Sequence, residues 1–426
     1  MVIGSALRPH GPGAGLVSDR DRRGPRPRPT SRKECHVVTT TAPRPVAVLS
    51  PSALRLLRTA GFVSNFDRFC IAPMPALIGS GLGVPVATVV LAASGYYLAY
   101  GLMQPVWGAA GDRWGRVRVM RVSLAGAAPA ALLSALAPDA PVLIAARVLT
   151  GACFAAAIAA SLTYVGDTVP AEVRQRPLSE LMTAFALGTA LATGVAGALA
   201  HYAGWRPVFA LPGVLAGFLA LALRRLPEPA RPRSGSLLAP FGTVLRSRRQ
   251  WYVMAVALLE GAVLLGFLTY LAPALEAHGV PVAVAGAVAA LYGVGTMAAS
   301  RAVTRLVGRW SPAALIVAGG TQTALAYLLA GYRQSTGTLV VAAVLLGGGW
   351  SFLHSTVQTW ATTVCPTARS TAVALFGVAL YGGGALSGGL AAATAQAGAY
   401  RPLFWLAALL SVPLTVAAAV GRARCR

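Results

Sequence analysis

Long apolar runs, separated by short clusters of Pro, Gly and Arg, occupy most of the chain. Each run has about 20 residues, the length that an α-helix needs to cross the hydrocarbon core of a bilayer. The pattern predicts six membrane spans in the first part of the chain, at 59–79, 86–110, 120–137, 141–165, 178–202 and 206–223. It predicts six more in the second part, at 251–273, 282–304, 311–331, 336–358, 370–396 and 401–421.

The composition agrees with a helical membrane protein. Of the 426 residues, 56% are hydrophobic and 11% are charged, whereas soluble globular proteins carry roughly 25% charged residues. The five cysteines form no C-x-x-C pair, and no Ser-His-Asp, Cys-His or metal-spaced cluster occurs. We therefore expect no enzyme activity, no cofactor and no metal site.

The net charge of +24 would suggest nucleic-acid binding if the basic residues lay on one soluble domain. They lie between the apolar runs instead. Segments on one side of the predicted membrane hold 31 of the 36 basic residues, and the other side holds Arg206, Arg333 and Arg401. The positive-inside rule then predicts a multi-pass protein of the cell's inner (plasma) membrane with both termini cytoplasmic. We expect contact with anionic lipid and no specific nucleic-acid partner.

The same pattern predicts the domain boundaries. Residues near the amino terminus are rich in Arg, Pro and Gly, a composition typical of disordered segments. The predicted parts are a cytoplasmic tail (1–58), a first six-helix bundle (59–223), a cytoplasmic linker (224–250), a second six-helix bundle (251–421) and a short tail (422–426).

The two halves of the chain repeat one another at an offset of 193 to 196 residues. The sequence GVPVA at 83–87 recurs at 279–283, and RPVF at 206–209 recurs as RPLF at 401–404. A repeat of six spans keeps its orientation in the membrane, so the halves are predicted to be parallel copies. Transporters built this way rock around a site at the middle of the membrane.

The loop between the second and third spans reads GAAGDRWGRVR at 108–118. It resembles the signature G-x-x-x-D-R-x-G-R-[RK] of the major facilitator superfamily, with the last basic position displaced to Arg118. Together with twelve spans and the duplication, the resemblance implies that superfamily's all-α membrane fold, with twelve transmembrane helices in two pseudo-symmetric bundles. The matching positions are Gly108, Asp112, Arg113, Gly115 and Arg116.

The resemblance implies that this loop is a latch for the outward-open state. It implies that Asp112 lies against span 11 and that Arg116 lies near Asp167 at the end of span 4. The residue types fit, because Gly108 would permit close helix approach and Gly115 a sharp turn. A turn whose basic residues only set the orientation in the membrane would account for the arginines but not for Asp112.

A second resemblance concerns proton coupling. Arg147 and Gly151 in span 4 resemble the superfamily's R-x-x-x-G element, which is associated with proton transfer in the proton-coupled members. Drug/proton antiporters usually also carry a Gly-Pro element in span 5, whereas residues 188–197 contain glycine but no proline. The direction of transport therefore stays open.

Ionisable side chains inside the spans each need a partner, a polar cavity or a function, because their insertion costs about 2.5 to 3.5 kcal/mol. Asp67 lies near mid-depth in span 1. Arg68 points about 100° away around the helix and is a poor partner. The resemblance implies that span 4 lies beside span 1, which makes Arg147 the predicted partner. The pair is either structural or a site where a change in separation binds and releases a proton.

Glu260 in span 7 has no cation at similar depth in its half. It is predicted to couple protons, to neutralise a cationic substrate or to face a polar cavity without a specific role.

Several polar and aromatic side chains could line a central substrate cavity. They are Asn65, Arg68, Tyr96, Tyr100, Gln104, Tyr270, Tyr292, Trp350, His354, Gln358 and Trp360. Helix packing or an interfacial aromatic belt explains each of them equally well. His354 and Gln358 are one helical turn apart and are predicted to face the same way, and the glycines of span 11 are predicted to allow close helix packing.

These features predict a monomeric secondary transporter that moves a small molecule by alternating access. Acids in the membrane and the lack of a nucleotide-binding motif favour proton-coupled efflux of a drug-like compound or metabolite. Uptake of a small nutrient by symport or facilitated diffusion uses the same fold and is the first alternative. A non-transporting membrane receptor or scaffold is the second.

Overall fold

A computed structural model describes residues 49–170, 173–229, 239–365 and 368–424, and these residues are almost entirely helical. The helices are α1 (Pro51–Phe69), α2 (Pro75–Leu82), α3 (Val86–Trp114), α4 (Arg116–Leu136), α5 (Ala140–Thr168), α6 (Gln175–Ala203), α7 (Trp205–Ala222), α8 (Ala239–Leu245), α9 (Arg248–Gly261), α10 (Leu271–Glu276), α11 (Val282–Leu306), α12 (Pro312–Tyr332), α13 (Thr336–Gly349), α14 (Ser355–Val364), α15 (Arg369–Gln396) and α16 (Tyr400–Arg424).

Within the described ranges, eleven helical segments are long and apolar enough to cross a bilayer. Two of them join several helices: Arg248–Glu276 contains α9 and α10, and Thr336–Val364 contains α13 and α14. The predicted spans 2 to 12 correspond to these eleven segments. We number the crossings accordingly, so that the seventh is Arg248–Glu276 and the tenth is Thr336–Val364.

The first crossing differs from the single helix predicted over 59–79. It consists of α1, a short turn and α2. Pro73 and Pro75 lack the backbone N–H that a continuous helix would use, so the helix breaks and restarts with Pro75 in its first turn.

The helical region also extends beyond the predicted bundles at both ends. The first helix begins at Pro51, where the Ser50 hydroxyl accepts a hydrogen bond from Ala53 N at 3.2 Å. The last helix continues to Arg424, through most of the predicted carboxyl-terminal tail. Residues 1–48 of the predicted amino-terminal tail and 230–238 of the predicted linker lie outside the described residues.

Glycines with positive φ mark the same turns in both halves. Those found among the described residues form three pairs at the repeat offset: Gly83 and Gly279, Gly115 and Gly308, and Gly204 and Gly398. A left-handed backbone costs other L-residues roughly 1–2 kcal/mol. The repeated glycines therefore fix equivalent turns, which supports the duplication seen in the sequence.

The repeated R-P-x-F sequence has an equivalent contact in each half. Arg206 Nη1 donates to Ala135 O at 3.2 Å, near the end of α4. Arg401 Nη2 donates to Tyr332 O at 2.8 Å, at the end of α12. Both arginines thus satisfy carbonyl groups that a helix end leaves without a partner.

The two halves meet along two helix pairs, α3 with α15 and α6 with α11. Small residues line the second contact, where Gly293 faces Ala190, Gly194 faces Ala290 and Gly197 faces Gly286. Within the second half, Gly383 of α15 packs directly against the carbonyl of Leu258 in α9. The close packing predicted for the span 11 glycines is confirmed at this position, because small residues allow helix backbones to approach.

Helices that alternate in direction give the bundle two ends. We call the end with Gly115 and Gly308 the basic end, because it carries most of the described arginines outside the spans. The end with Gly83 and Gly204 is called the opposite end. The α6–α11 contact at Gly197 and Gly286 lies toward the opposite end.

Candidate functional site

A fully buried ion pair lies in the first half. Arg147 of α5 places Nη1 2.9 Å from Oδ1 of Asp67 in α1 and Nη2 3.2 Å from Oδ2. The same Nη2 donates to the Asp67 carbonyl at 2.8 Å, which is available because α1 ends two residues later. Neither side chain has exposed surface. The pairing expected from the sequence is present, and its role in proton coupling stays a prediction.

Two aromatic rings enclose this pair. The Arg147 guanidinium carbon lies 4.5 Å from the ring centroid of Tyr96 and 4.8 Å from that of Phe209. Cation–π contacts of this kind help to compensate for the lost hydration of a buried cation. The Tyr96 hydroxyl is buried, and none of the described residues forms a hydrogen bond with it. This places Tyr96, predicted to line a cavity, beside the ion pair.

A second acid–base pair lies in the second half. His354 Nδ1 is 2.9 Å from Glu260 Oε1, and the Glu260 side chain is fully buried. The other oxygen, Oε2, is buried and has no hydrogen-bond partner within the described part of the chain. The expectation that Glu260 lacks a partner in its own half is therefore wrong, because a histidine supplies it.

Helix irregularities accompany this second pair. His354 closes a π-helical turn, Trp350–His354, and another π-helical turn, Ala262–Gly266, begins just after Glu260. His354 is buried whereas Gln358 is exposed. The structure therefore places these two predicted cavity residues in different environments, although they lie one helical turn apart at the start of α14. Trp350, another predicted cavity residue, stacks on the His354 ring with centroids 3.9 Å apart.

The two pairs occupy corresponding crossings of the repeat. Asp67 and Glu260 lie on the first crossing of their halves, and Arg147 and His354 lie on the fourth. Each half therefore carries a buried carboxylate hydrogen-bonded to a nitrogen base on another helix.

A further buried arginine joins the two halves. Arg68 Nη1 donates to the hydroxyl of Tyr381 in α15 at 2.6 Å, and Nη2 donates to the hydroxyl of Tyr100 in α3 at 3.0 Å. Tyr97 of α3 stacks on Tyr381 with ring centroids 6.4 Å apart. Arg68 and Tyr100 were both predicted as cavity residues, and the structure brings them together. We call Arg68, Tyr97, Tyr100 and Tyr381 the interhalf cluster.

A small cavity adjoins this cluster. It has a volume of about 20 Å³ and is lined by residues of both halves: Phe69, Ala72, Tyr97, Thr189, Leu265, Leu268, Thr269, Ala289 and Tyr292. A space of this size holds about one water molecule. Residues of both halves thus lie close together around this cavity, and Tyr292 is the predicted cavity residue that lines it.

Other predicted cavity residues contact helices. Tyr270 donates its hydroxyl to the Gly388 carbonyl, and Trp360 packs against the ring of Tyr252 at 5.9 Å between centroids. Helix packing therefore accounts for both, so neither is retained as a cavity residue.

Two more predicted cavity residues lie at contacts between neighbouring crossings. Asn65 is buried beside Gly188 of α6, and the Gln104 amide lies against Gly377 of α15. Their contact with substrate stays a prediction.

The signature loop forms a charged turn at the basic end. Arg116 pairs with Asp112 one helical turn earlier, and its Nε lies 3.4 Å from Asp167 Oδ2 at the end of α5. The predicted proximity of Arg116 and Asp167 is confirmed. Gly115 adopts φ of 113°, which fits its predicted role in a sharp turn, and Arg113 is exposed.

Two details of this loop differ from expectation or stay open. Among the described residues, nothing lies within 4 Å of a side chain placed at Gly108, so the predicted close helix approach there is not seen among them. The Gly108 carbonyl instead accepts a hydrogen bond from Arg116 Nη1 at 3.5 Å. The contact of Asp112 with span 11 stays a prediction, because the side chains at positions 369 and 370 lie outside the described ones.

Two contributing residues were missed from the sequence. Glu228 accepts hydrogen bonds from Val117 N at 3.2 Å and Arg118 N at 3.1 Å, so an acid of the linker complements the α4 amino terminus. The sequence feature that could have indicated this role is a single acidic residue between two prolines. Tyr381 was overlooked because its signal, a tyrosine before three glycines of span 11, is equally typical of helix packing.

Comparison with known proteins gives consistent matches. The profile of the Major Facilitator Superfamily matches residues 58–366 and, again, 272–424. A multidrug efflux pump of Mycolicibacterium smegmatis is 29% identical over 201 residues, which cover 45% of this chain and 40% of the pump. A chloramphenicol resistance protein of Streptomyces lividans is 28% identical over 386 residues, covering 86% of this chain and 95% of that protein.

Structural comparison gives the same fold. The crystal structure of the nucleoside transporter NupG matches with a TM-score of 0.72 and 15% identity, over 86% of this chain and 99% of that one. At this identity, the likeness shows the fold alone. The chain thus spans nearly the full length of two of these proteins and less than half of the multidrug pump.

Proposed function

The chain belongs to the major facilitator superfamily and is a multi-pass membrane transporter, and on this premise we propose that it exports a small organic molecule in exchange for protons. The observation that carries the proposal is the pair of buried acid–base contacts, Asp67 with Arg147 and Glu260 with His354. Ionisable groups in a membrane core are costly, and in transporters they commonly serve proton relay.

In the proposed coupling, a proton competes with the Arg147 side chain for the Asp67 carboxylate. When water reaches the centre from the outside, a proton adds to the Asp67 carboxylate and replaces its bonds to Arg147. When the centre opens to the inside, the proton leaves and the ion pair forms again. Glu260 likewise takes up a proton from the outside, which weakens its contact with His354, and releases it to the inside when that contact forms again. A cycle therefore moves protons inward as substrate moves outward.

The names of two relatives support the outward direction. One is an efflux pump and the other a resistance protein. We further propose that the basic end faces the cytoplasm, because basic residues favour that side. With the substrate loaded from the basic end and released at the opposite end, the α6–α11 contact would open during release.

Everted membrane vesicles provide the test. With an acidic lumen generated by respiration, chloramphenicol and a panel of drug-like compounds are added, and the pH of the lumen is followed with a fluorescent dye. We expect at least one compound to enter the vesicles and to raise the lumenal pH only when the protein is present. Lack of compound-linked proton movement across the panel would contradict proton exchange.

Intact cells test the direction. Lower accumulation of the compound in expressing cells supports efflux, whereas higher accumulation would indicate uptake by the same fold. A cellular phenotype that persists after Asp67 and Glu260 are both replaced, without transport of any compound, would indicate a receptor or scaffold.

A further inference from the structure

Arg68 is a buried cation outside the two acid–base pairs. The residue is 6% exposed, and Nε has no hydrogen-bond partner among the residues that the structure describes. The neighbouring Asp67 directs both carboxylate oxygens to Arg147 instead. Among the described residues, no carboxylate lies within ion-pair distance of Arg68.

The surroundings compensate for this charge only in part. The guanidinium carbon lies 4.4 Å from the ring centroid of Tyr100 and 5.3 Å from that of Tyr381, and the hydroxyls of both residues accept its hydrogen bonds. Aromatic faces and neutral hydroxyls stabilise a buried cation less than a carboxylate does. The site therefore favours an additional anion.

The position of Arg68 suits a transported ligand. Its guanidinium carbon is 5.6 Å from the ring centroid of Phe69, and Phe69 and Tyr97 line the small cavity between the halves. The rest of that cavity is apolar apart from Tyr292 and two threonines, Thr189 and Thr269. An anion at Arg68 would thus lie beside Phe69 and Tyr97. Its aromatic body would contact these rings once the halves separate, since the cavity itself holds about one water molecule.

We propose that Arg68 binds the anionic group of an aromatic organic anion that the protein transports. This proposal rests on the proposed transport function. An oxygen of the anion replaces the Tyr381 hydroxyl at Arg68 Nη1, which removes a hydrogen bond between α1 and α15. Binding of the anion therefore loosens one link between the halves and favours their separation.

Binding assays on the purified full-length protein test the site. The probes are salicylate and benzenesulfonate, each compared at neutral pH with its uncharged amide. We expect the wild-type protein to bind at least one anion about tenfold more tightly than the amide, as a charge-assisted bond predicts. Arg68→Gln should abolish that preference, and Arg68→Lys should retain part of it. Arg333→Gln, which removes an exposed arginine, is the matched control.

Tyr381→Phe provides a second test, which stays informative if the Arg68→Gln protein fails to fold. Removing the competing hydroxyl should tighten binding of the same anion by about threefold while leaving the amide unchanged. Equal affinity for anions and amides in the wild type would overturn the proposal. So would an anion preference that neither Arg68→Lys nor Tyr381→Phe changes.

The vesicle assay separates this proposal from the transport function. If compounds move with protons but anions show no preference, the anion site is wrong and proton-coupled export stands. If anion binding depends on Arg68 while no compound moves protons, the site stands and proton-coupled export is wrong.

Discussion

Buried charge determines what individual residues can do in this protein. Asp67 and Arg147 have no exposed surface and contact each other through two side-chain hydrogen bonds. Such a pair is stable only while both partners remain, because the loss of one leaves the other buried without compensation. The same contact would serve as a proton switch, since a proton on Asp67 removes the charge that attracts Arg147.

Replacement of Asp67 tests that switch. We expect Asp67→Asn to abolish transport driven by a pH gradient and to lower the free energy of unfolding by about 3–5 kcal/mol, because Arg147 loses its counter-charge. Vesicle transport and thermal unfolding measure the two effects. Asp139→Asn is the control, since Asp139 is an exposed helix cap and asparagine caps equally well. Proton-driven transport at the wild-type rate in Asp67→Asn would argue against the switch.

Glu260→Gln separates proton coupling from substrate movement. Glutamine keeps groups that can hydrogen-bond with His354 Nδ1 but cannot take up a proton. We expect exchange of labelled for unlabelled substrate to persist and accumulation driven by a pH gradient to fall at least about tenfold. Glu180→Gln, in a partly exposed ion pair with Arg58, should change neither rate. Loss of both rates in Glu260→Gln would instead indicate a substrate-binding role.

The sequence predicted one of the two pairs. Asp67 and Arg147 were matched because they carry opposite charges inside the membrane and because the family resemblance places span 4 beside span 1. The match of Glu260 with His354 was missed because it depends on a π-helical turn that regular periodicity does not show. The partner of Arg68 was missed because a tyrosine hydroxyl carries no charge pattern.

At the scale of elements, close helix contacts between the halves control movement. Gly293 of α11 packs so tightly on Ala190 of α6 that even a methyl group would meet the Ala190 backbone. In the structure, these contacts hold α6 and α11 together toward the opposite end. They must separate if the halves tilt apart at the opposite end.

A larger residue at this contact should therefore disturb the packing of α6 on α11. We expect Gly293→Val to lower the free energy of unfolding by about 1–3 kcal/mol, as overpacking does, and to make α6 and α11 more accessible to thiol reagents introduced nearby. Gly166→Ala is the control, because nothing lies within 4 Å of a side chain at that position. Unchanged stability and labelling in Gly293→Val would show that the contact is looser than described.

Most crossings could be predicted from apolar length alone, and the first could not. Its residues include Asp67 and Arg68, and Pro73 and Pro75 divide it into two helices. Hydropathy measures the apolar length of a segment but not whether its backbone is continuous. For this reason, the prediction placed a span where the chain forms α1, a turn and α2.

At the scale of the whole molecule, the duplication explains most of the architecture. Turn glycines, arginines at helix ends and buried carboxylates recur at equivalent places in both halves. These repeats were visible in the sequence because turns and caps depend on local residue types. The contact between α6 and α11 was not visible, since it depends on how distant helices pack.

A reversible cross-link between α6 and α11 tests alternating access most directly. A Cβ atom at Gly194 would lie 3.3 Å from that of Ala290, close to the spacing of about 3.5–4.5 Å in disulfides. Gly194→Cys and Ala290→Cys are combined in a chain whose five native cysteines are replaced, and each single variant serves as a control. We expect oxidation to abolish transport in the double variant and reduction to restore it. Full transport by the cross-linked protein would contradict movement of the halves at this contact.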